Sequence, residues 1–229
     1  LVRMEDEALA HEYIRNSTVE KMIFADIPSV FPIRHPSKML EIFEYFAYYS
    51  GGLVQESSIS QLISLSQPTV DDYIQYLEQS HLVQRIYTSG NYEKRTRRMK
   101  KGYVASPCLH RQFSRDFTKG QLFETAVFDK LRSFEPRVYR DEQKREVDFV
   151  IEGGRIPIEV KSSNNVSGAD IAGLLYYMEK RRIRRGYVVY DGPYDQMEMK
   201  GKQVELLPLS SFLSAGRIIT GLERAEHLN

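Results

Sequence analysis

The chain has 229 residues, 41% hydrophobic and 28% charged, and its 32 basic and 31 acidic side chains leave a net charge of +1. No overall field draws it to nucleic acid or to an acidic membrane, so any such attraction must come from a local cluster. A single Cys, Cys108, excludes an intramolecular disulfide framework and a Cys-rich zinc site; a packing role in a reducing, cytoplasmic setting is expected.

The length favours two cores over one. No apolar run reaches the roughly 18 residues of a membrane span, and the charged start (Arg3, Glu5, Asp6, Glu7) lacks the apolar core of a secretory signal. The chain opens on Leu1, which suggests a piece of a longer protein or a processed end.

Residues 6 to 24 carry helix-compatible spacing at Leu9, Tyr13, Val19 and Ile23, and Pro28, Pro32 and Pro36 then interrupt regular structure. Residues 1–36 therefore read as a connector. Ser37 is expected to cap an apolar helix through Met39, Leu40, Ile42, Phe43, Phe46 and Ala47, stopped by Gly51-Gly52. A short helix at Ile59, Leu62 and Ile63, a Ser66-Gln67 turn and a helix opened by Pro68 read as helix-turn-helix. Leu82 to Tyr87 alternates like a strand, with Tyr103-Val104 as its return, so residues 37–107 form a winged helix-turn-helix.

Between those strands stand Lys94, Arg95, Arg97, Arg98, Lys100 and Lys101. Six cations in so short a run fit a wing that grips the phosphates of DNA, or a solvated basic loop. The second helix argues against base reading, because it carries Asp71, Asp72 and Glu78 and otherwise only polar Thr69, Gln75 and Gln79. Docking to protein is the alternative use of such a module.

From Gly120 the pattern resets, and residues 108–229 are expected to form a second, α/β domain: a mixed sheet flanked by helices. A helix runs through Leu122, Phe123, Ala126, Val127 and Leu131, with strands near Val138, from 146 to 161, at Gly186–Tyr190 and at Val204–Leu207, and a helix from about 168 to 182. Lys180 to Arg185 forms a second basic run, read either as cations at a helix C-terminus or as a phosphate track toward the acids of the hairpin.

That hairpin carries the chemistry. Glu146-Val-Asp148-Phe-Val-Ile-Glu152 and Arg155-Ile-Pro-Ile-Glu159-Val-Lys161 flank Gly153-Gly154, a pair suited to a type I′ turn. The resulting register sets Phe149 against Ile158 on an apolar face, and pairs Asp148 with Glu159 and Glu146 with Lys161 on a polar one. Carboxylates about 5 Å apart at Cβ repel by roughly 3 kcal/mol at an intermediate dielectric. Mg²⁺ or Mn²⁺ would offset this, with Lys161 steadying an attacking hydroxide or developing charge. An exposed face whose acids are neutralised by Lys161, Lys144 or Arg145 is the plainer alternative.

Glu146-Val-Asp148-Phe followed by Pro157-Ile-Glu159-Val-Lys161 resembles the core motif of the PD-(D/E)XK, or restriction-endonuclease-like, superfamily, with Val147 where the motif has Pro. Gly120-Gln-Leu-Phe-Glu124 is similar to its upstream acidic position. The resemblance implies a nuclease fold, Asp148, Glu159 and Glu124 as metal ligands, and Lys161 as a catalytic residue; relatives that do not cut imply the alternative of a non-catalytic DNA- or protein-binding module. The order of wing, Gly-X-X-Phe-Glu helix and hairpin also resembles the C-terminal region of an archaeal and bacterial AAA+ ATPase family, which implies an upstream ATPase module as partner. No Gly-X-X-X-X-Gly-Lys-Ser/Thr loop occurs here, so no P-loop ATP site is expected in this chain.

Overall fold

Residues 12–88, 100–114 and 116–214 are described in the structure, a computed structural model. They divide into two units, one within Leu1–Arg85 and Met99–Phe117, the other within Ile86–Arg98 and Thr118–Asn229. No described helix is long and apolar enough to cross a membrane.

The first unit opens on helical backbone, π-helical over Ile14–Glu20 and Met22–Asp26 and α-helical over Ile27–Val30. Pro28 lies within this continuous helical backbone, since Asp26 and Ile27 before it both hold helical φ and ψ. The helix stops at Phe31, extended at φ −117° and ψ 149°, the conformation favoured before Pro32. Val19, Ile23 and Ile27 are buried in the unit's core. Part of the expected connector is therefore core, because the prolines break the chain only after these side chains are placed.

Helix α1 (Pro36–Tyr48) starts one residue before the expected cap. Pro36 suits a first helical position, and Ser37 lies within the helix. Met39, Ile42, Phe43, Phe46 and Ala47 are all buried. After β1 (Leu53–Val54) come α2 (Glu56–Ile63) and α3 (Gln67–Gln79), joined through Ser64 in the left-handed region. Ser66 caps α3, its Oγ accepting from the Thr69 N–H at 3.3 Å.

Strands β2 (Val83–Tyr87) and β3 (Lys100–Val104) complete a sheet of order β1-β3-β2. The return strand begins at Lys100, three residues earlier than expected. Gly102 lies against the core: a Cβ there would fall 2.4 Å from Val54 Cγ2 and 2.7 Å from Phe46 Cε1. We expect Gly102→Ala to cost about 1–3 kcal/mol as overpacking, measured as a lower urea midpoint; an unmoved midpoint would mean that Phe46 and Val54 can yield.

Helix α4 (Pro107–Phe113) also belongs to the first unit. Phe113 meets Phe43 edge-on at 4.9 Å, so the expected boundary at residue 107 falls about ten residues early. Cys108 is exposed, not a packing residue.

In the second unit, α5 (Lys119–Leu131) opens with a reciprocal capping box between Thr118 and Gln121. Strands β4 (Arg137–Arg140), β5 (Glu146–Ile151) and β6 (Ile156–Lys161) follow. Helix α6 (Ala172–Arg181), β7 (Arg185–Tyr190), β8 (Asp195–Met199), β9 (Lys202–Pro208) and α7 (Leu209–Ser214) complete it. The sheet order is β4-β5-β6-β7-β9-β8, parallel at β6–β7 and β7–β9 and antiparallel elsewhere. It is the expected mixed sheet, with α6 packed through Leu174, Leu175 and Met178 against Val188, Val204 and Leu206. Strand β8 and helix α7 add to the expected elements; in Asp-Gln-Met-Glu-Met, an edge strand, only Met197 and Met199 are half-buried against the core.

Candidate active site

The hairpin turn is built as its glycines require. Gly153 (φ 65°, ψ 17°) and Gly154 (φ 94°) hold positive φ, and the Arg155 N–H donates to Glu152 O at 3.3 Å. Phe149, Val150 and Ile151 pair with Ile158, Pro157 and Ile156 in the expected register.

The ladder stops at Phe149–Ile158, so the expected Asp148–Glu159 and Glu146–Lys161 pairs do not form. The cause is a bulge in β5. Arg137 pairs with Val150 and Tyr139 with Val147, so β5 uses one residue more than β4 over this stretch. Val147 and Val150 consequently join the same core cluster with α6. Asp148, released from regular pairing, turns its carboxylate onto the neighbouring strand, where Oδ2 accepts the Val160 N–H at 2.9 Å. The expected polar face is also shorter than alternation implies, since Val150 and Pro157 are buried.

Glu159 and Lys161, two residues apart on β6, share a face, and the Lys161 Nζ donates to Glu159 Oε1 at 2.8 Å. Glu159 is only 8% exposed, and its Oε2 is buried with no hydrogen-bond partner among the described residues. Burial, reinforced by the Asp148 charge, pushes its pKa up to about 8. Burial opposes the Lys161 ammonium, but Glu159, Asp148 and Asp170 outweigh it and hold its pKa above the ordinary value. Glu146, expected beside Lys161, instead accepts from Arg140 Nη1 at 2.8 Å.

Asp170 joins this neighbourhood from outside the motif. It lies between β6 and α6, where its Oδ2 accepts both the N–H and the hydroxyl of Ser167, at 2.8 and 2.6 Å. Ser167-Gly-Ala-Asp170 has the spacing of a capping box, the one signal in the sequence that points to it. Glu124 sits half-buried on α5. Among the described residues no three His, Cys, Asp or Glu side chains converge into a metal-binding group, so Glu124 does not complete a shell with Asp148 and Glu159.

Of the expected nucleic-acid contacts, Lys94, Arg95, Arg97 and Arg98 lie outside the described residues. Lys100 bonds Glu56 at 2.6 Å, and Lys101 is 6% exposed; as part of β3 they serve the sheet rather than a solvated loop. The acids of α3 have a matching explanation. Arg85 donates through Nη1 to Asp71 at 2.7 Å and to Glu56 at 3.0 Å, and through Nη2 to Glu78 at 2.8 Å. Asp71 and Glu78 thus neutralise a buried cation, leaving Asp72, Gln75 and Gln79 on the exposed side of α3.

The second basic run does not lead to the carboxylates. Lys161 pairs with Tyr190 at the end of β7, whereas Arg185 begins β7. Of the acids, Glu159 pairs with Val188, so three residues of strand, roughly 10 Å, separate its level from Arg185.

Residues 1–118, just over half of the chain, match a family described as a domain of unknown function (DUF8612). The chain belongs to that family. Beyond the DUF8612 match, residues 119–212 match a second domain of unknown function (DUF4143). The two matches meet within one residue of the break between units at Phe117, although Ile86–Arg98 falls in the first match and in the second unit. No curated protein sequence matches the chain. A solved structure of a mutant MepR from a multidrug-resistant S. aureus clinical isolate is 17% identical, covering 62% of this chain and 88% of its own, at a TM-score of 0.28. That score is too low to carry an argument.

Proposed function

We propose that the second unit is a restriction-endonuclease-like domain in which Asp148, Glu159 and Lys161 serve a Mg²⁺- or Mn²⁺-dependent cleavage of nucleic-acid phosphodiesters. One observation carries the reading: Glu159 Oε2 is buried, unpartnered among the described residues and next to a second carboxylate. A buried acid oxygen without a donor is costly, and a hard divalent ion is the partner that suits two neighbouring carboxylates. When bound, the ion would polarise the phosphoryl group and raise the acidity of water.

The chain's own residues would divide the remaining work. Asp148 commits one oxygen to the Val160 N–H, which fixes the carboxylate relative to β6. Glu159 presents Oε2 while Lys161 holds Oε1, so ligand and ammonium are aligned as a unit. Lys161 would then face the negative charge that develops at phosphorus. Glu124 is left out of the ligand set.

For the first unit, the order α1, β1, α2, α3, β2, β3 supports a winged helix-turn-helix reading, with DNA as the expected partner and residues 94–98 as its phosphate contacts. The order of wing, Gly-X-X-Phe-Glu helix and hairpin supports an AAA+ ATPase as parent. The test is cleavage of labelled duplex and single-stranded DNA with and without Mg²⁺, comparing the native chain with Asp148→Ala and Lys161→Ala. We expect Mg²⁺-dependent cutting by the native chain and at least a hundredfold loss in either variant; equal cutting by all three would end the proposal.

The lack of a third converging acid among the described residues favours a second reading, a non-catalytic DNA- or protein-binding module of the ATPase. It wins if calorimetry detects no Mn²⁺ binding while salt-sensitive DNA binding persists.

A further inference from the structure

The end of the second unit's sheet at which β7 begins carries its own concentration of charge. Arg137 begins β4, and Arg155 precedes β6. Arg182 and Arg184 lead into Arg185 at the start of β7, and Lys200 sits in the turn between β8 and β9. The register places all of these at one level. Ile158 pairs with Tyr187 and Arg185 with Gln203, while Arg137 pairs with Val150, itself opposite Pro157. Each of the six is exposed. From β4 to β7 the row spans three strand spacings, roughly 14 Å.

Acids meet part of this charge: Arg185 pairs with Glu205 at 3.4 Å, Arg155 with Glu152 at 3.7 Å, and nearby Lys202 with Glu179 at 3.1 Å. Arg137, Arg182, Arg184 and Lys200 have no ion-pair partner among the described residues. Two of these four occupy backbone that cationic side chains rarely adopt, Arg182 at φ 57° and Lys200 at φ 54°. Glycine or asparagine would sit there with less strain, so local backbone preference does not explain these two cations.

We propose that this row is a second nucleic-acid contact, a surface that grips the phosphate backbone at the end of the sheet where β7 begins, two to three strand residues, roughly 7–10 Å, from the level of Asp148 and Glu159. Its composition selects the partner. The exposed large hydrophobics described in this unit are Tyr87, Tyr194 and Leu213, on β2, the β7–β8 loop and α7, and the row itself contains no apolar residue to form the centre of a protein interface. A polar, cation-rich strip fits a phosphodiester backbone. A test run in EDTA reads this surface whether or not the chain cuts.

The experiment is fluorescence anisotropy of a short labelled duplex, with the full chain in EDTA across a salt series. The variant is Arg137→Ala/Arg182→Gly/Lys200→Asn. Two of its changes relieve strained backbone, so its melting temperature should stay at or above that of the native chain. We expect at least tenfold weaker binding near 0.1 M salt and a salt slope shallower by about 0.9 for each phosphate no longer neutralised. Arg182→Lys/Lys200→Arg should retain native binding. Unchanged affinity and slope in the triple variant would overturn the proposal. So would polyglutamate competing as well as unlabelled duplex at equal charge, which would assign the row to an acidic protein.

Discussion

Replacing Arg85 with Ala should destabilise the first unit by about 3–5 kcal/mol, among the largest single-residue effects expected in the chain. The guanidinium is 4% exposed and holds Asp71, Glu56 and Glu78 through its donors, while its backbone N–H donates to Glu78 at 2.8 Å. Removing it takes this cation from all three carboxylates, with Lys100 still bonded to Glu56. Burial works to raise the pKa of Glu56, but Lys100, the backbone and Arg85 outweigh it and hold the pKa below its ordinary value. The stability contributed by Glu56 is therefore present above its unfolded pKa and lost as pH falls through the folded one. Asp71→Ala should cost under about 1 kcal/mol, because that side chain is 45% exposed. Hydrogen exchange of α3 amides reads this unit separately; protection unchanged in Arg85→Ala would show that the ion cluster is incidental.

The second large effect concerns Glu159. With a folded pKa of about 8 against an ordinary value of 4.5, the folded metal-free domain binds a proton that the unfolded chain has released. Stability from this group is complete below about pH 4.5 and declines as pH rises toward about 8, by up to a few kcal/mol at about 1.4 kcal/mol per unit. A divalent ion reverses the sign, since it binds the carboxylate and expels the proton. Calorimetry at pH 7 in buffers of different ionisation enthalpy should register nearly one proton released per Mn²⁺ bound, and affinity should fall about tenfold per pH unit below the folded pKa. Glu159→Gln should abolish the release and the binding while flattening the pH dependence of stability. A binding heat independent of buffer would refute the assignment of Glu159 as the ligand.

Much of this architecture was legible in the residues. Gly153-Gly154 fixed both turn and register, because positive φ is inexpensive for glycine and the turn sets which residues pair. The apolar spacing of Met39 to Ala47 located α1. What escaped was whatever depends on neighbours distant in the chain. Three prolines suggested a loose connector, although Val19, Ile23 and Ile27 sit in the core. Lys100 and Lys101 read as solvated cations, yet Glu56 and the strand claim them. The three candidate residues stand out by their motif, but their arrangement does not: alternation alone pairs Asp148 with Glu159, whereas the bulge redirects Asp148 to the Val160 N–H.

That bulge gives the site an unusual dependence on chain count. Val147 and Val150 can both face α6 only because an extra position intervenes, and Asp148 is the residue displaced from the ladder. A related sequence shorter by a single residue here could keep every acidic and basic side chain and still lose the geometry, its strand zipped flat and the aspartate returned to ordinary alternation. In this domain the spacing between two valines is as much a chemical determinant as the charged groups themselves.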